Sequence, residues 1–302
     1  MRFLAILNRD GGTLSSLDIE VFSPRLIELL REEGHEVTVR AVAGREIVKA
    51  IDEAATATDI DVVMAGGGDG TISLAAGKLA ESDKALAVLP AGTMNLFARS
   101  LRMPLDLDQA IKALAKGKIK QVDLASVNGR YLVHQLSIGM HPQLIDLREK
   151  LTFRGRVGKI FASTRAAVAT FQHPHNILVQ VESDITRFEA VTQSLSVTNN
   201  LYGEGHLPFT DKPDGGTLGL YVTRAARRSD LFFFFANMAI GRWRKNDQVE
   251  IHQAKWVKLH LPYLDPRFKC AIDGELEPLA QDMLVKLHPK VLRVLAPSPT
   301  EQ

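Results

Sequence analysis

Asp61-Val-Val-Met-Ala-Gly-Gly-Gly-Asp-Gly-Thr71 decides how the rest of this chain is read. Val62, Val63, Met64 and Ala65 form an apolar run of strand type, and three glycines break it. Asp69, Gly70 and Thr71 come next, and a helical pattern follows over residues 72–80. Glycine reaches backbone conformations closed to other residues, so main-chain N–H groups can converge on an oxygen-rich ligand. A helix that starts directly behind them adds the positive end of its dipole. In open α/β sheets the carboxyl edge of the strands is where ligands sit. The stretch therefore predicts a phosphate site, with a purely structural glycine turn as the alternative.

Outward from this loop the same grammar repeats. Residues 3–7 read as a buried strand ending at Asn8-Arg-Asp-Gly-Gly12. Ser23-Pro24 reads as a helix start, with the helix closed by Gly34. Strand 36–42 and helix 46–55 lead to the strand at 61–65. Strand 85–89 delivers a second loop, Pro90-Ala-Gly-Thr-Met-Asn95, and helices to about residue 99 and over 107–114 follow. Strands alternating with helices at this spacing mean βαβ units and a mostly parallel sheet. Both glycine loops leave carboxyl ends of strands, so they are expected to face one cleft.

Near residue 120 the pattern changes. A strand at 120–127, the hairpin pair Asn128-Gly129 and a return strand at 131–137 are expected. Residues 142–171 read as helix, with Gly155 and Gly158 as weak points, and 229–240 as another. Strands at 177–182, 185–191, 194–198, 218–223, 248–252, 255–261 and 284–288 suggest an antiparallel sandwich. The domains expected are 1–122 and 123–289, with a last strand near 290–296 returning to the first.

The 302 residues suit two domains, and 45% apolar with 24% charged residues is an ordinary globular composition. A net charge of +2 gives no reason to expect nucleic acid. Cys270 stands alone, so no disulfide forms within the chain, which fits a reducing compartment. The apolar start, Met1 to Asn8, is too short for a signal core, and 231–240 is about half a membrane span. A cytoplasmic protein follows, with peripheral contact at a membrane surface and oligomer formation left open.

Asp69 is a carboxylate set among glycines. It suits a bridging cation beside a phosphate, and it also suits the N-cap of the next helix. Gly92, Thr93 and Asn95 offer flexible backbone, a hydroxyl and an amide to complete a nucleotide site; Thr93 as a helix cap is the plainer reading. Asp273-Gly274-Glu275 either orients a substrate hydroxyl or makes a tight turn. Asp211-Lys-Pro-Asp-Gly-Gly-Thr217 is a cation loop or a turn. No Walker A lysine motif and no His-Arg-Asp kinase loop occur. His173-Pro-His175 lacks further ligands nearby. The stripe through Phe232 and Phe235, followed by Arg242-Trp-Arg-Lys245, suits a core face, or a lipid-chain site beside a headgroup interface.

These motifs in this order resemble the diacylglycerol kinase catalytic-domain family, which includes soluble bacterial lipid kinases and sphingosine kinases. The resemblance rests on Gly66 to Thr71, Leu89 to Arg99, Val122-Asp123, Asn199 to Gly205, Asp214-Gly215 and Asp273 to Glu275, and spans nearly the whole chain. It implies a first domain like that of NAD kinase and phosphofructokinase, a β-sandwich second domain and an active site between them. It implies transfer of the γ-phosphoryl group of ATP, with Mg²⁺, to a lipid hydroxyl such as that of diacylglycerol. Asn8, Gly67, Gly68, Asp69, Gly70, Thr71, Gly92, Thr93 and Asn95 would hold the nucleotide. Asp273 would be the base, supported by Glu275 and Asp69. Asp69 and Asp123 would join a network around Mg-ATP, and Asp214 with Asp211 and Gly216 a structural metal site. Arg9, Leu96 and Pro213 depart from the usual pattern, and Leu96 removes a carboxylate beside the cleft. An NAD kinase-like acceptor and a non-catalytic nucleotide- or lipid-binding regulator are the alternatives.

Overall fold

The computed structural model describes residues 1–150, 176–204, 207–223, 248–265 and 267–298. Expectations placed on 151–171, His173, His175, Gly205, the helix at 229–240 with its phenylalanines, and Arg242 to Lys245 lie outside these residues.

The first half runs β1 (Arg2–Asn8), α1 (Ile19–Arg31), β2 (Glu36–Val42), α2 (Ile47–Thr56), β3 (Val62–Gly67), α3 (Asp69–Leu79), β4 (Ala85–Pro90), α4 (Leu96–Ser100) and α5 (Leu107–Ala115). β3 is buried along its whole length and pairs in parallel with β1 on one side and β4 on the other. A strand covered on both faces has no solvent side, hence its unbroken apolar run. β2 pairs only with β1 at the sheet edge and alternates, exposing Glu36, Thr38 and Arg40.

Ser23-Pro24 does not start α1. Asp18 is the N-cap, its carboxylate accepting the Glu20 N–H at 3.0 Å, and Pro24 lies inside the helix. Phe22, Leu26, Leu29 and Leu30 form one buried face at helical spacing. Phe22 belongs to that face but precedes Pro24, so packing carries the helix past the proline signal.

The second half runs β5 (Lys118–Val127), β6 (Arg130–Leu132), β7 (Gln135–Gly139), α6 (Met140–Lys150), β8 (Ile177–Ser183), β9 (Arg187–Thr192), β10 (Ser194–Asn199), β11 (Leu218–Thr223), β12 (Val249–Ala254), β13 (Trp256–His260), β14 (Lys269–Ile272), β15 (Glu275–Pro278) and β16 (Asp282–Ala296). One sheet has the order β2-β1-β3-β4-β16-β13-β8-β9, with β5 and β6 joined alongside β16. The other has the order β12-β11-β10-β7-β14-β15, with neighbouring strands antiparallel. The architecture is the expected one, a parallel α/β domain followed by an antiparallel β domain. Among the described residues, no helix is long and apolar enough to cross a membrane.

Two strands differ from expectation. The segments at 284–288 and 291–295 are one strand, β16, which runs antiparallel to β5 and parallel to β4. Its register slips between His288 and Leu292, with Lys290 left-handed at φ 55°. Met283 and Val285 pack in one hydrophobic core, and Leu292, Val294 and Leu295 in the other. The return strand at 131–137 is split instead. Asn128 (φ 47°) and Gly129 (φ 87°) turn the hairpin as expected, but β6 stays with β5 while β7 crosses to the other sheet. At the break, the N–H groups of Val133, His134 and Gln135 all donate to the Asp273 carboxylate.

Asp123, buried in β5, holds the slip in β16. Its Oδ1 accepts the Lys290 N–H at 2.9 Å, and its Oδ2 accepts the Gly216 N–H at 2.7 Å. Asp123→Asn turns one of these oxygens into a donor facing an N–H. The expected cost is about 2 kcal/mol, read as a lower urea midpoint at unchanged m-value.

Candidate active site

Three loops meet at the carboxyl ends of β1, β3 and β4. After β1 the chain turns at Gly12 (φ 53°), where a Cβ would lie 1.9 Å from the Ala91 carbonyl oxygen. Thr13 N–H donates to that oxygen at 2.7 Å, and Ala91 N–H donates to Gly67 O at 3.1 Å. At the end of β1, Asn8 Nδ2 donates to Thr71 Oγ1 at 3.3 Å. The expected contact between the two glycine loops is close: a Cβ on Gly92 would stand 2.7 Å from Gly68 Cα.

The glycines are not equivalent. A Cβ on Gly66 would meet Leu7 Cδ2 at 2.6 Å, and one on Gly67 would meet Thr71 Oγ1 at 2.6 Å, so these two are closed in by packing. Gly68 precedes α3 as its N-cap, with no side-chain cap bond. The first N–H groups of such a helix have no partner inside it and face outward along the dipole. A Cβ on Gly70, in the first turn, would come 2.7 Å from Glu275 Oε1, across from the second half of the chain. Thr93 is exposed.

Asp69 caps a helix, but not the one it begins. Its Oδ2 accepts the Asn95 N–H at 2.9 Å and its Oδ1 the Leu96 N–H at 2.7 Å, which secures the start of α4. Asn95 is left-handed at φ 52° and closes the second loop on itself. Its Oδ1 accepts Gly92 N–H at 2.8 Å, and its Nδ2 donates to Gly92 O at 2.8 Å. A carboxylate offers about four acceptor positions, so Asp69 keeps capacity after serving two N–H groups. The glycine cradle and that remaining capacity fit a triphosphate with a hydrated divalent ion.

Asp273 joins the two halves. With Gly274 (φ 86°) it makes the left-handed turn of the β14–β15 hairpin, at φ 49°. Its Oδ1 accepts the N–H groups of His134 and Gln135, each at 2.9 Å. Its Oδ2 accepts Val133 N–H at 2.9 Å and the Ser73 hydroxyl, from α3, at 2.5 Å. Burial pushes the carboxyl pKa up, against the lowering by those four donors. Glu275, two residues on, is exposed and pairs with Arg130 at 3.2 Å.

Ser73 and His134 escaped the sequence reading. The signal for His134 was a polar pair, His134-Gln135, inside an otherwise apolar strand pattern. Its ring lies 5.4 Å from that of Tyr202, whose hydroxyl donates to Gln135 Oε1 at 2.5 Å. His134 Nε2 is shut from solvent with no hydrogen-bond partner. Burial holds its pKa down at about 4, helped by His141 and opposed by Asp69, so the imidazole is neutral at pH 7.

Asp123 is hydrogen-bonded to neither Asp69 nor Asp273: its two carboxylate oxygens serve Gly216 and Lys290. That places it with the 211–217 loop, where Asp211 and Asp214 are exposed. Among the described residues, no three His, Cys, Asp or Glu side chains gather where they could hold a metal ion.

Residues 2–127 match the diacylglycerol kinase catalytic domain, and residues 136–296 match the YegS C-terminal NAD kinase β-sandwich-like domain. A diacylglycerol kinase of Bacillus subtilis (strain 168) is 26% identical over 293 residues, which is 94% of this chain and 94% of that protein. A Klebsiella pneumoniae (strain 342) protein named "Probable lipid kinase YegS-like" is 42% identical over 130 residues, 42% of this chain and 41% of that protein. A crystal structure of a diacylglycerol kinase from Bacillus anthracis str. Sterne shares the fold, with a TM-score of 0.72 over 99% of this chain and 97% of that one at 19% identity. Through both matched domains, the chain belongs to the diacylglycerol kinase catalytic-domain family, a family of lipid kinases.

Proposed function

We propose that this protein transfers the γ-phosphoryl group of ATP to the hydroxyl of a lipid such as diacylglycerol. The observation that carries the reading is the cleft itself. Two glycine loops touch at Gly68 and Gly92, Asp69 locks them together, and the Asp273–Glu275 turn reaches them from the other half. Family membership supports the reaction class.

In this reaction the bond from the lipid oxygen to phosphorus forms as the bond from phosphorus to the ADP oxygen breaks, and the hydroxyl proton leaves. Mg²⁺ bound with the nucleotide would neutralise charge on the transferring group. The N–H groups at the start of α3 and the Gly68–Gly92 backbone receive the phosphates. Asp69 keeps the second loop in place and offers its remaining acceptor capacity to the hydrated ion. Asp273 takes the proton. Its acceptor positions are all occupied, so the substrate hydroxyl reaches it by displacing the Ser73 hydroxyl, the one donor of the four that can rotate away. The carboxyl pKa raised by burial suits that task. Glu275, against Gly70, supports the turn and repels a misplaced phosphate.

Purified protein incubated with γ-labelled ATP and a total lipid extract is expected to place label in the lipid phase, and Asp69→Ala to place none. Label transferred to NAD in a parallel reaction, or released only as inorganic phosphate, would sink the lipid kinase reading. Asp273→Asn is expected to lower kcat by at least about 10²-fold while ATP binding by calorimetry persists. Ser73→Ala, which removes the competing hydroxyl, is expected to retain turnover. Unchanged turnover in Asp273→Asn would remove Asp273 as the base.

A further inference from the structure

The family resemblance implies a structural cation on the 211–217 loop, held by Asp214 with Asp211 and Gly216, and the carbonyl oxygens of Lys212, Pro213 and Gly216 there are already occupied. A hard divalent ion takes six or more oxygen ligands. Lys212 O accepts Gly215 N–H at 3.1 Å and the Thr210 hydroxyl at 3.2 Å. Pro213 O accepts Asp123 N–H at 2.8 Å and Asn200 Nδ2 at 3.1 Å. A carbonyl oxygen has two lone pairs, so both are saturated. The Asp211 carboxylate lies over Gly203, where a Cβ would come 2.0 Å from its Oδ2. The Gly216 carbonyl, the third expected ligand, accepts a hydrogen bond from the Lys255 ammonium. The exposed Asp211 and Asp214 carboxylates that remain are too few, without those carbonyls, to enclose a divalent ion.

Lys255 is held where it can do this. It is the single residue between β12 and β13. Its N–H donates to Asp184 Oδ1 at 2.9 Å, and its carbonyl accepts Leu287 N–H at 2.9 Å. The β11–β12 register sets Leu218 opposite Ala254, which brings Lys255 abreast of Gly216 and Thr217. Gly216 is left-handed at φ 69°, with its N–H held by Asp123 and its carbonyl by Lys255. A second cation, Lys120 of β5, feels Asp214: burial draws the Lys120 pKa down and Asp214 opposes it.

We propose that the Lys255 ammonium is a tethered cation that takes the place of a structural divalent ion in the 211–217 loop. The loop then holds its shape, and through Asp123 the slip in β16, without bound metal. The charge comes with the chain, so it is present at any external ion concentration. This inference is independent of the phosphoryl-transfer reading, because it concerns the nucleotide-free protein.

The test compares wild type with Lys255→Met, without nucleotide, after dialysis against EDTA and then into metal-free buffer. Wild type is expected to carry almost no Mg²⁺ or Ca²⁺ by elemental analysis. Its Tm is expected to be the same in EDTA and in millimolar Mg²⁺. Lys255→Met is expected to melt about 3 °C lower, and millimolar Mg²⁺ or Ca²⁺ to recover part of that loss by occupying the vacated oxygen. About one retained divalent ion per wild-type chain would overturn the proposal. So would a Lys255→Met protein that melts with wild type in metal-free buffer. The wild-type ion content decides even if the variant folds poorly.

Discussion

Three consecutive N–H groups need an acceptor where the chain leaves one sheet for the other, and Asp273 supplies it. Between β6 and β7, residues 133–135 belong to neither strand ladder at their N–H groups. A buried N–H left unpaired costs about 1–3 kcal/mol, so a sheet crossing without such an acceptor would be expensive. The carboxylate sits at the tip of a two-residue hairpin, so serving those three groups fixes where the β14–β15 hairpin stands. That position sets Glu275 against Gly70 and Asp273 against Ser73 of α3. The alignment of the two halves at the cleft is thus tied to a backbone requirement.

A second constraint works along the β5–β16 ladder. β16 contributes to both hydrophobic cores, and β5 pairs with it along nearly its whole length. Such a strand resists hinge motion, because opening the cleft through it would break ladder pairs on both sides of the slip. The slip at Lys290 lets one strand satisfy two registers, and Asp123 stabilises it by accepting the Lys290 N–H. The other Asp123 oxygen extends that order to Gly216. Two carboxylates, Asp273 and Asp123, therefore satisfy the irregular backbone of the second half.

What the sequence disclosed follows from range. The parallel half was legible because each strand and helix carries its own periodicity, and the glycine loops sit at strand ends where such loops belong. Asn128-Gly129 was legible because a left-handed turn has a local chemical preference. The break at 133–134 was not, because its cause is Asp273, 140 residues away from Val133. Its local sequence makes Asp69 a cation neighbour or the cap of its own helix, but it caps α4, with partners 26 and 27 residues on. The start of α1 was misplaced because Pro24 gave a strong local signal that the packing of Phe22 overrides. Ser73 and His134 carry no motif and gain meaning only once the fold brings them to the junction.

Acceptor capacity ranks the carboxylates that the sequence offers as site residues. Asp69 and Asp123 each accept two N–H groups, and Asp273 accepts three N–H groups and a hydroxyl. Asp123 is 1% exposed, so its remaining lone pairs face protein. Asp273 has none to offer without losing a donor. In the proposed reaction, Asp69 and Glu275 are the ones of these that can meet an incoming cation without first breaking a bond. Leu96 bears on this directly. The family's usual acid there would stand beside Asp69 at the start of α4, where the Leu96 N–H is already capped. The helix does not need that acid for capping. Its loss removes one like charge from beside Asp69, which eases close approach of a phosphate to the glycine loop. The same change gives the cleft a half-buried apolar side chain in place of a charge. Leu96 is therefore compatible with retained nucleotide binding, and its consequences fall on the polarity of the cleft wall.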